Sequence, residues 1–194
     1  MLGFCRELLE ERNVAVTCSA PSDRMVASSF SSQTITGCDI PDDVKMLEMT
    51  GSHIQFLGLP PLLGRYFVAS DALDGQDPQP VAVLSFKFWQ RHYRGDPAVV
   101  GRTIQLNYKT YTILGVMPVR FTWGDGEVFV PMKLTSDQTH RYGTKIKLKP
   151  GTSMAAAEGE FRPLYQEFDR QTPNVFPKQS RSACEVLPTR PPAI

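Results

Sequence analysis

The chain contains no apolar run approaching the ~20 residues that a membrane-spanning helix needs. Its first residues, MLGFCRELLEERN, are a short charged amphipathic stretch without a basic start or an apolar centre, so they do not read as a signal peptide. Charge of one sign is lacking too: a net charge of +1 over 194 residues leaves no global field to recruit nucleic acid or anionic lipid. Histidine is scarce. His53, His92 and His140 stand far apart and none belongs to an H-E-x-x-H pair, so surface or core-edge histidines are the favoured reading over a metal site. Cys5, Cys18, Cys38 and Cys184 show no C-x-x-C spacing and no histidine at ligand distance along the chain. A disulfide framework stays open, with buried free thiols favoured.

Catalytic signatures are missing in the same way. No G-x-x-x-x-G-K-[ST] cradle for phosphate occurs. Gly124-Asp125-Gly126 starts like a dinucleotide fingerprint but has no third glycine and no long helix after it. Gly151-Thr152-Ser153 is no nucleophile elbow, because Met154-Ala155 stands where the second glycine must be. The acidic tract with Asp71, Asp74 and Asp77 lacks the D-x-D-x-D-G order of a calcium loop, and a solvated loop is the better reading. No catalytic, cofactor-binding or metal-ligating residue is therefore assigned, and the chain is expected not to be an enzyme.

What is present is globular: 41% hydrophobic and 21% charged residues suffice for a core in one domain or two small lobes. The informative stretch is PVAVLSFKFWQRHYRGDPAVVGRTIQLNYKTYTILGVMP, Pro80–Pro118. Val81–Leu84 is a short apolar run, the mark of a buried strand. Ser85 then caps a helix in which Phe86, Trp89 and Tyr93 fall on one face. Gly95 suits the left-handed step that ends it, Asp96-Pro97 restarts the chain, and Gly101 breaks that turn. Thr103–Leu106 and Tyr111–Val116 alternate around Asn107-Tyr108-Lys109-Thr110, which predicts a β-hairpin. Arg91 and Arg94 beside these aromatics could suggest stacked nucleotides. An amphipathic helix with its aromatic face in the core is favoured, since no basic excess accompanies it.

Around this stretch, Phe4–Arg12 predicts a helix and Val14–Cys18 a strand. Pro21–Gln33 is serine-rich without a clear period, whereas Thr34–Thr36 and Lys45–Thr50 predict strands. A short helical run, His53–Leu57, ends at Gly58, and Pro60-Pro61 forces an extended passage. Asp125-Gly126 leads into a strand Glu127–Pro131, and Thr144–Leu148 alternates into another. From Thr152 or Ser153 a longer helix reaches about Arg170, with Ala157, Phe161, Leu164, Tyr165 and Phe168 on one stripe. Its in-phase stripe carries it through Pro163. Ala183–Leu187 is a last strand. Trp123 could anchor a partner or cover a sheet end.

The residues VAVLSFKFWQRHYRGDPAVVGRTIQLNYKTYTILGVMP resemble the core of MacB-like periplasmic domains of ABC transporter permeases, the FtsX/MacB-type family. The likeness continues upstream through FLGLPPLLGRYF, Phe56–Phe67, and downstream through FTWGDGEVFVP, Phe121–Pro131, and Leu148-Lys149-Pro150-Gly151. It covers roughly residues 46–177, and its order and spacing are more specific than any single piece. The resemblance implies an α+β fold of two lobes, with mixed sheets, helices packed on one face and an inserted, mostly-β lobe. Residues 60–140 would be the inserted outer lobe; 1–59 and 141–194 would form the membrane-proximal, porter-like lobe. It implies a portion of a bacterial, membrane-associated permease, without the membrane helices, on the periplasmic side. Such a domain transmits conformational change without catalysis or cofactor. Its partners would be the membrane helices of the same permease, the ABC ATPase subunit indirectly, and a periplasmic adaptor or cargo, with no nucleic acid. The alternative is a free-standing ligand- or protein-binding module with this fold and no transporter.

Overall fold

The computed structural model describes residues 22–36, 42–51, 53–54, 58–72, 76–121, 125–133, 142–148 and 151–171. The expected elements Phe4–Arg12, Val14–Cys18 and Ala183–Leu187, together with Trp123, His140 and all four cysteines, lie outside them. The strands are β1 (Ser22–Thr36), β2 (Asp42–Met49), β3 (Leu63–Gly64), β4 (Val81–Leu84), β5 (Thr103–Leu106), β6 (Lys109–Val116), β7 (Val128–Pro131) and β8 (Gly143–Leu148). The helices are α1 (Phe86–Tyr93) and α2 (Met154–Gln171). This is a mixed α/β fold dominated by one sheet.

The sheet runs β2-β7-β4-β6-β5-β1-β8, and β1 pairs with β2 as well. Six strands, β1-β2-β7-β4-β6-β5, therefore close on themselves, which removes the free edges an open sheet would carry. Pairing is mixed: β2–β7 and β4–β6 are parallel, whereas β1–β2, β1–β5, β4–β7 and β5–β6 are antiparallel. The stagger is steep, because Ile35 of β1 faces both Asp42, the first residue of β2, and Leu106, the last of β5.

Alternation sorts the side chains to the two faces of this ring. Val44, Met46, Ala82, Leu84, Ile104, Leu106, Tyr111, Ile113, Val128 and Val130 share one buried cluster inside it. Leu47, Met49, Val83 and Phe129 belong to a second cluster on the other face, covered by Ile54, Phe67, Met117 and Phe121. Buried on both faces, β4 and β7 read as continuous apolar runs.

Most of the expected elements are present, with instructive differences. The serine-rich stretch read as aperiodic is the first part of a 15-residue strand. An unbroken ladder to β2 from Ser28 to Ile35 overrides the poor strand preference of serine. The hairpin link shrinks to Asn107-Tyr108, both at positive φ, the tight two-residue turn that suits twisted strands. On α1 the fully buried ring is Phe88 beside Trp89, whereas Phe86 and Tyr93 sit half-buried at the margin. The helix sits over the end of the ring, so its buried arc is wider than a single stripe. Helix α2 runs unbroken through Pro163, and Ser153 Oγ accepts from Ala156 N at 3.2 Å at its start.

Beside β3 a bulge brings two backbones unusually close. Ala82 pairs with Ile113 but Val83 with Gly115, which leaves Leu114 as the extra residue. A Cβ on Gly64 would lie 2.1 Å from the Leu114 carbonyl oxygen, and one on Gly115 2.5 Å from that of Leu63. Only glycines fit this crossing.

The chain groups into two compact units, Met25–Thr135 with His140–Lys145, and Met1–Arg24, Ser136–Thr139 and Ile146–Ile194. The first unit holds the closed ring, so β2 shares a sheet with strands from within residues 60–140.

Candidate functional site

The ring has two ends, finished with different chemistry. At one, β4 runs directly into α1. Ser85 Oγ accepts from Phe88 N at 3.1 Å, while Ser85 N donates to the Glu127 carbonyl at 2.8 Å, which fixes the helix to the start of β7. Phe88 and Trp89 close the interior, and Trp89 Nε1 donates to the Asp96 carbonyl at 2.9 Å. Asp96 caps the following turn through Ala98 N at 2.9 Å.

Charged groups of the same helix tie it to two strands. Arg91 Nη2 meets Glu127 Oε1 at 2.7 Å and approaches Asp42 Oδ2 at 3.9 Å. Glu127 Oε2 also accepts from Lys45 N at 3.0 Å. His92 stacks on Phe88 with ring centroids 4.2 Å apart. Its Nε2 lies 3.1 Å from Arg91 Nε and 3.2 Å from Asp42 Oδ2. One ring nitrogen cannot serve both neighbours: unprotonated it accepts from Arg91, and protonated it donates to Asp42. Burial and then the Arg91 charge hold the His92 pKa below its ordinary value, against the opposing pull of Asp42 and Glu127. The neutral ring accepting from Arg91 is thus the favoured state.

At the other end, where β4 and β6 start and β2 and β7 finish, a depression of about 240 Å³ opens. Glu48, Gln79, Lys109, Tyr111, Val130, Met132 and Lys133 line it, with Pro78 and Pro131. Lys109 Nζ stands 5.3 Å from the centre of the Tyr111 ring, a cation–π distance. Burial and then the Glu48 charge raise the Tyr111 pKa, which keeps the phenol neutral. Lys133 Nζ reaches Asp77 Oδ1 at 3.2 Å.

Among the described residues, those weighed in the sequence form no shared cluster. His53 is buried with Nδ1 3.2 Å from the Ala27 carbonyl, far along the chain from His92 on α1. In the acidic tract, Asp71 Oδ2 accepts from Val68 N at 2.9 Å and from Arg65 Nη1 at 3.1 Å, while Asp77 pairs with Lys133. Among the described residues no group of three or more His, Cys, Asp or Glu side chains could hold a metal ion. The aromatic helix spends Phe88 and Trp89 on the core and Arg91 on carboxylates, as an amphipathic core helix does. Sequence reasoning missed the mouth cluster, whose members are scattered from Glu48 to Lys133. Its one legible signal is Glu48 itself, a charge on the inward face shared with Val44 and Met46.

Comparison with known proteins turns the resemblance into membership. The family described as MacB-like periplasmic core domain matches residues 6–164. The chain belongs to that family. The periplasmic region of MacB from Actinobacillus actinomycetemcomitans superposes with a TM-score of 0.63 at 14% identity, over 84% of this chain and 73% of that one. The extracellular domain of the noncanonic ABC-type transporter YknZ from Gram-positive bacteria gives 0.62 at 16% identity, over 84% and 82%. At these identities the structural likeness speaks for the fold. No curated protein matches the sequence significantly. A MacB-like periplasmic core domain lies outside the cytoplasm, and among the described residues no helix is long and apolar enough to cross a membrane.

Proposed function

We propose that this MacB-like domain is the extracytoplasmic part of an ABC transporter permease. It passes conformational change between the membrane helices of that permease, driven indirectly by an ABC ATPase, and a periplasmic adaptor or cargo. It performs no chemistry itself: no catalytic, cofactor or metal site is assigned to it. The family match over residues 6–164 carries this reading. A closed ring with one apolar, cross-braced end supports it physically, because an element that transmits force must not deform locally. In this reading residues 60–140 form the outer lobe, and residues 1–59 with 141–194 the membrane-proximal one.

The open reading frame around the chain offers the first test. Apolar segments of ~20 residues on both sides and an adjacent ATPase gene are expected. Stop codons immediately flanking the domain would favour a free-standing binding module instead. In the full-length protein, a cross-link between the two units should uncouple ATP hydrolysis from transport. Unchanged transport in the cross-linked protein would sink the force-transmitting role.

A further inference from the structure

The mouth of the ring gathers charged, polar and apolar side chains around a depression, an arrangement that does not depend on the transporter reading. Mouths of closed strand barrels are recurrent ligand sites, because the strands hold rigid side chains around a concavity. Here the concavity of about 240 Å³ has room for about eight waters at ~30 Å³ each. That is below the volume drug-sized ligands need and suits a molecule of amino-acid size.

Its lining sorts by chemistry. Tyr111, Val130 and Met132 form a buried, mostly apolar floor. Glu48 supplies one anion from the inward face of β2, and Lys109 one cation from the start of β6. Lys133 is paired with Asp77 at 3.2 Å, which leaves Glu48 and Lys109 as the lining charges without an ion-pair partner among the described residues. Among the described residues the side chains of Glu48, Gln79, Lys109 and Tyr111 make no hydrogen bond or ion pair, although they converge on the same depression. The other end of the ring spends comparable groups, Arg91, Glu127 and Asp42, on one another. Apart from the cation–π contact of Lys109 with the Tyr111 ring at 5.3 Å, the four polar groups of the mouth have no hydrogen-bond or ion-pair partner among the described residues, and a ligand with matching ends would supply both.

We infer that the mouth binds a small zwitterion, an amino-acid-like molecule with its ammonium group at Glu48, its carboxylate at Lys109 and its hydrocarbon part on Tyr111, Val130 and Met132. The Gln79 amide and the Tyr111 hydroxyl can donate to the carboxylate as well.

Titrating the full chain with leucine, with isocaproate, which lacks the amine, and with isoamylamine, which lacks the carboxylate, tests this by backbone-amide NMR. Leucine should perturb residues 48, 79, 109–111 and 130–133. Each single-charge analogue should bind roughly tenfold more weakly, as the loss of one charge-assisted contact implies. In Glu48→Gln the advantage of leucine over isocaproate should vanish while its advantage over isoamylamine remains. Lys109→Gln should show the reverse. If no ligand perturbs the mouth, or if all three bind the native chain alike, the proposal is wrong. The comparison of the three ligands on the native chain decides the matter even where a variant fails to fold.

Discussion

The two ends of the strand ring are made from similar residue types used in opposite ways. At the α1 end the aromatics Phe88 and Trp89 are buried and the charges Arg91, Glu127 and Asp42 are paired across α1, β2 and β7. At the mouth one aromatic, Tyr111, forms a floor under Lys109, and Glu48 and Lys109 line a depression without an ion pair between them. Burial and pairing at the first end add to stability. Unspent polar groups at the second add little, and sites of this kind are where function departs from the best-packed solution. The difference separates what holds this domain together from what it can offer to other molecules.

The comparison breaks most directly at Trp89. Its ring is only 7% exposed and its Nε1 donates to the Asp96 carbonyl. Trp89→Ala should cost about 3–5 kcal/mol, from lost burial, a cavity and an orphaned carbonyl. Chemical denaturation would measure it. By contrast Lys109→Gln at the mouth should stay within about 0.5 kcal/mol of the native protein, as exposed substitutions do. Comparable losses at both positions would mean that the mouth is structural and that the contrast between the ends is false.

Next in size is the backbone crossing beside the α1 end. Gly64→Ala puts a methyl 2.1 Å from the Leu114 carbonyl oxygen at φ +65°, so clash and backbone strain act together. A loss of about 1–3 kcal/mol is expected. A thermal melt indistinguishable from the native one would show that β3 can leave β6 at no cost. Tyr66 should respond in the opposite direction. Its hydroxyl is buried without a hydrogen-bond partner among the described residues, and burial pushes its pKa up to about 12. Tyr66→Phe should therefore stabilise by roughly 1 kcal/mol, the desolvation penalty of an unsatisfied group. A destabilised variant would reveal a partner for that oxygen.

How far the sequence could foresee this depends on whether a signal is local. The helix α1 with its Ser85 cap, the hairpin β5–β6 and the passage of α2 through Pro163 were all legible, since each rests on residues within one or two turns. Strand β1 was not, because its serines gain strand geometry only from a ladder to β2. The choice of Phe88 over Phe86 as the buried ring was hidden for a related reason: periodicity gives a stripe, but the position of the helix over the ring sets its width. Closure of the ring itself needs Ile35 to meet both Asp42 and Leu106, a long-range coincidence that no local pattern encodes. The mouth cluster, gathered from β2, β6, β7 and the segment before β4, was invisible for that reason.

The smallest expected effect concerns acid. His92 has its pKa lowered from 6.5 by burial and by Arg91, so the unfolded chain binds the proton more readily than the folded one. Stability from this group is complete above about 6.5 and is lost as pH falls below that value through the lowered folded pKa. Acidification also swaps the partner of Nε2 from Arg91, its neighbour on α1, to Asp42 of β2. Melting temperatures of the native chain and of His92→Gln, followed from neutral pH to pH ~5, should diverge, with the native chain falling faster; groups common to both cancel in the difference. Asp42→Asn should steepen the fall, because it removes a charge that stabilises the protonated ring. Parallel curves for all three proteins would show that His92 titrates alike in the folded and unfolded chains. The bracing of α1 would then rest on Arg91 and Glu127 alone.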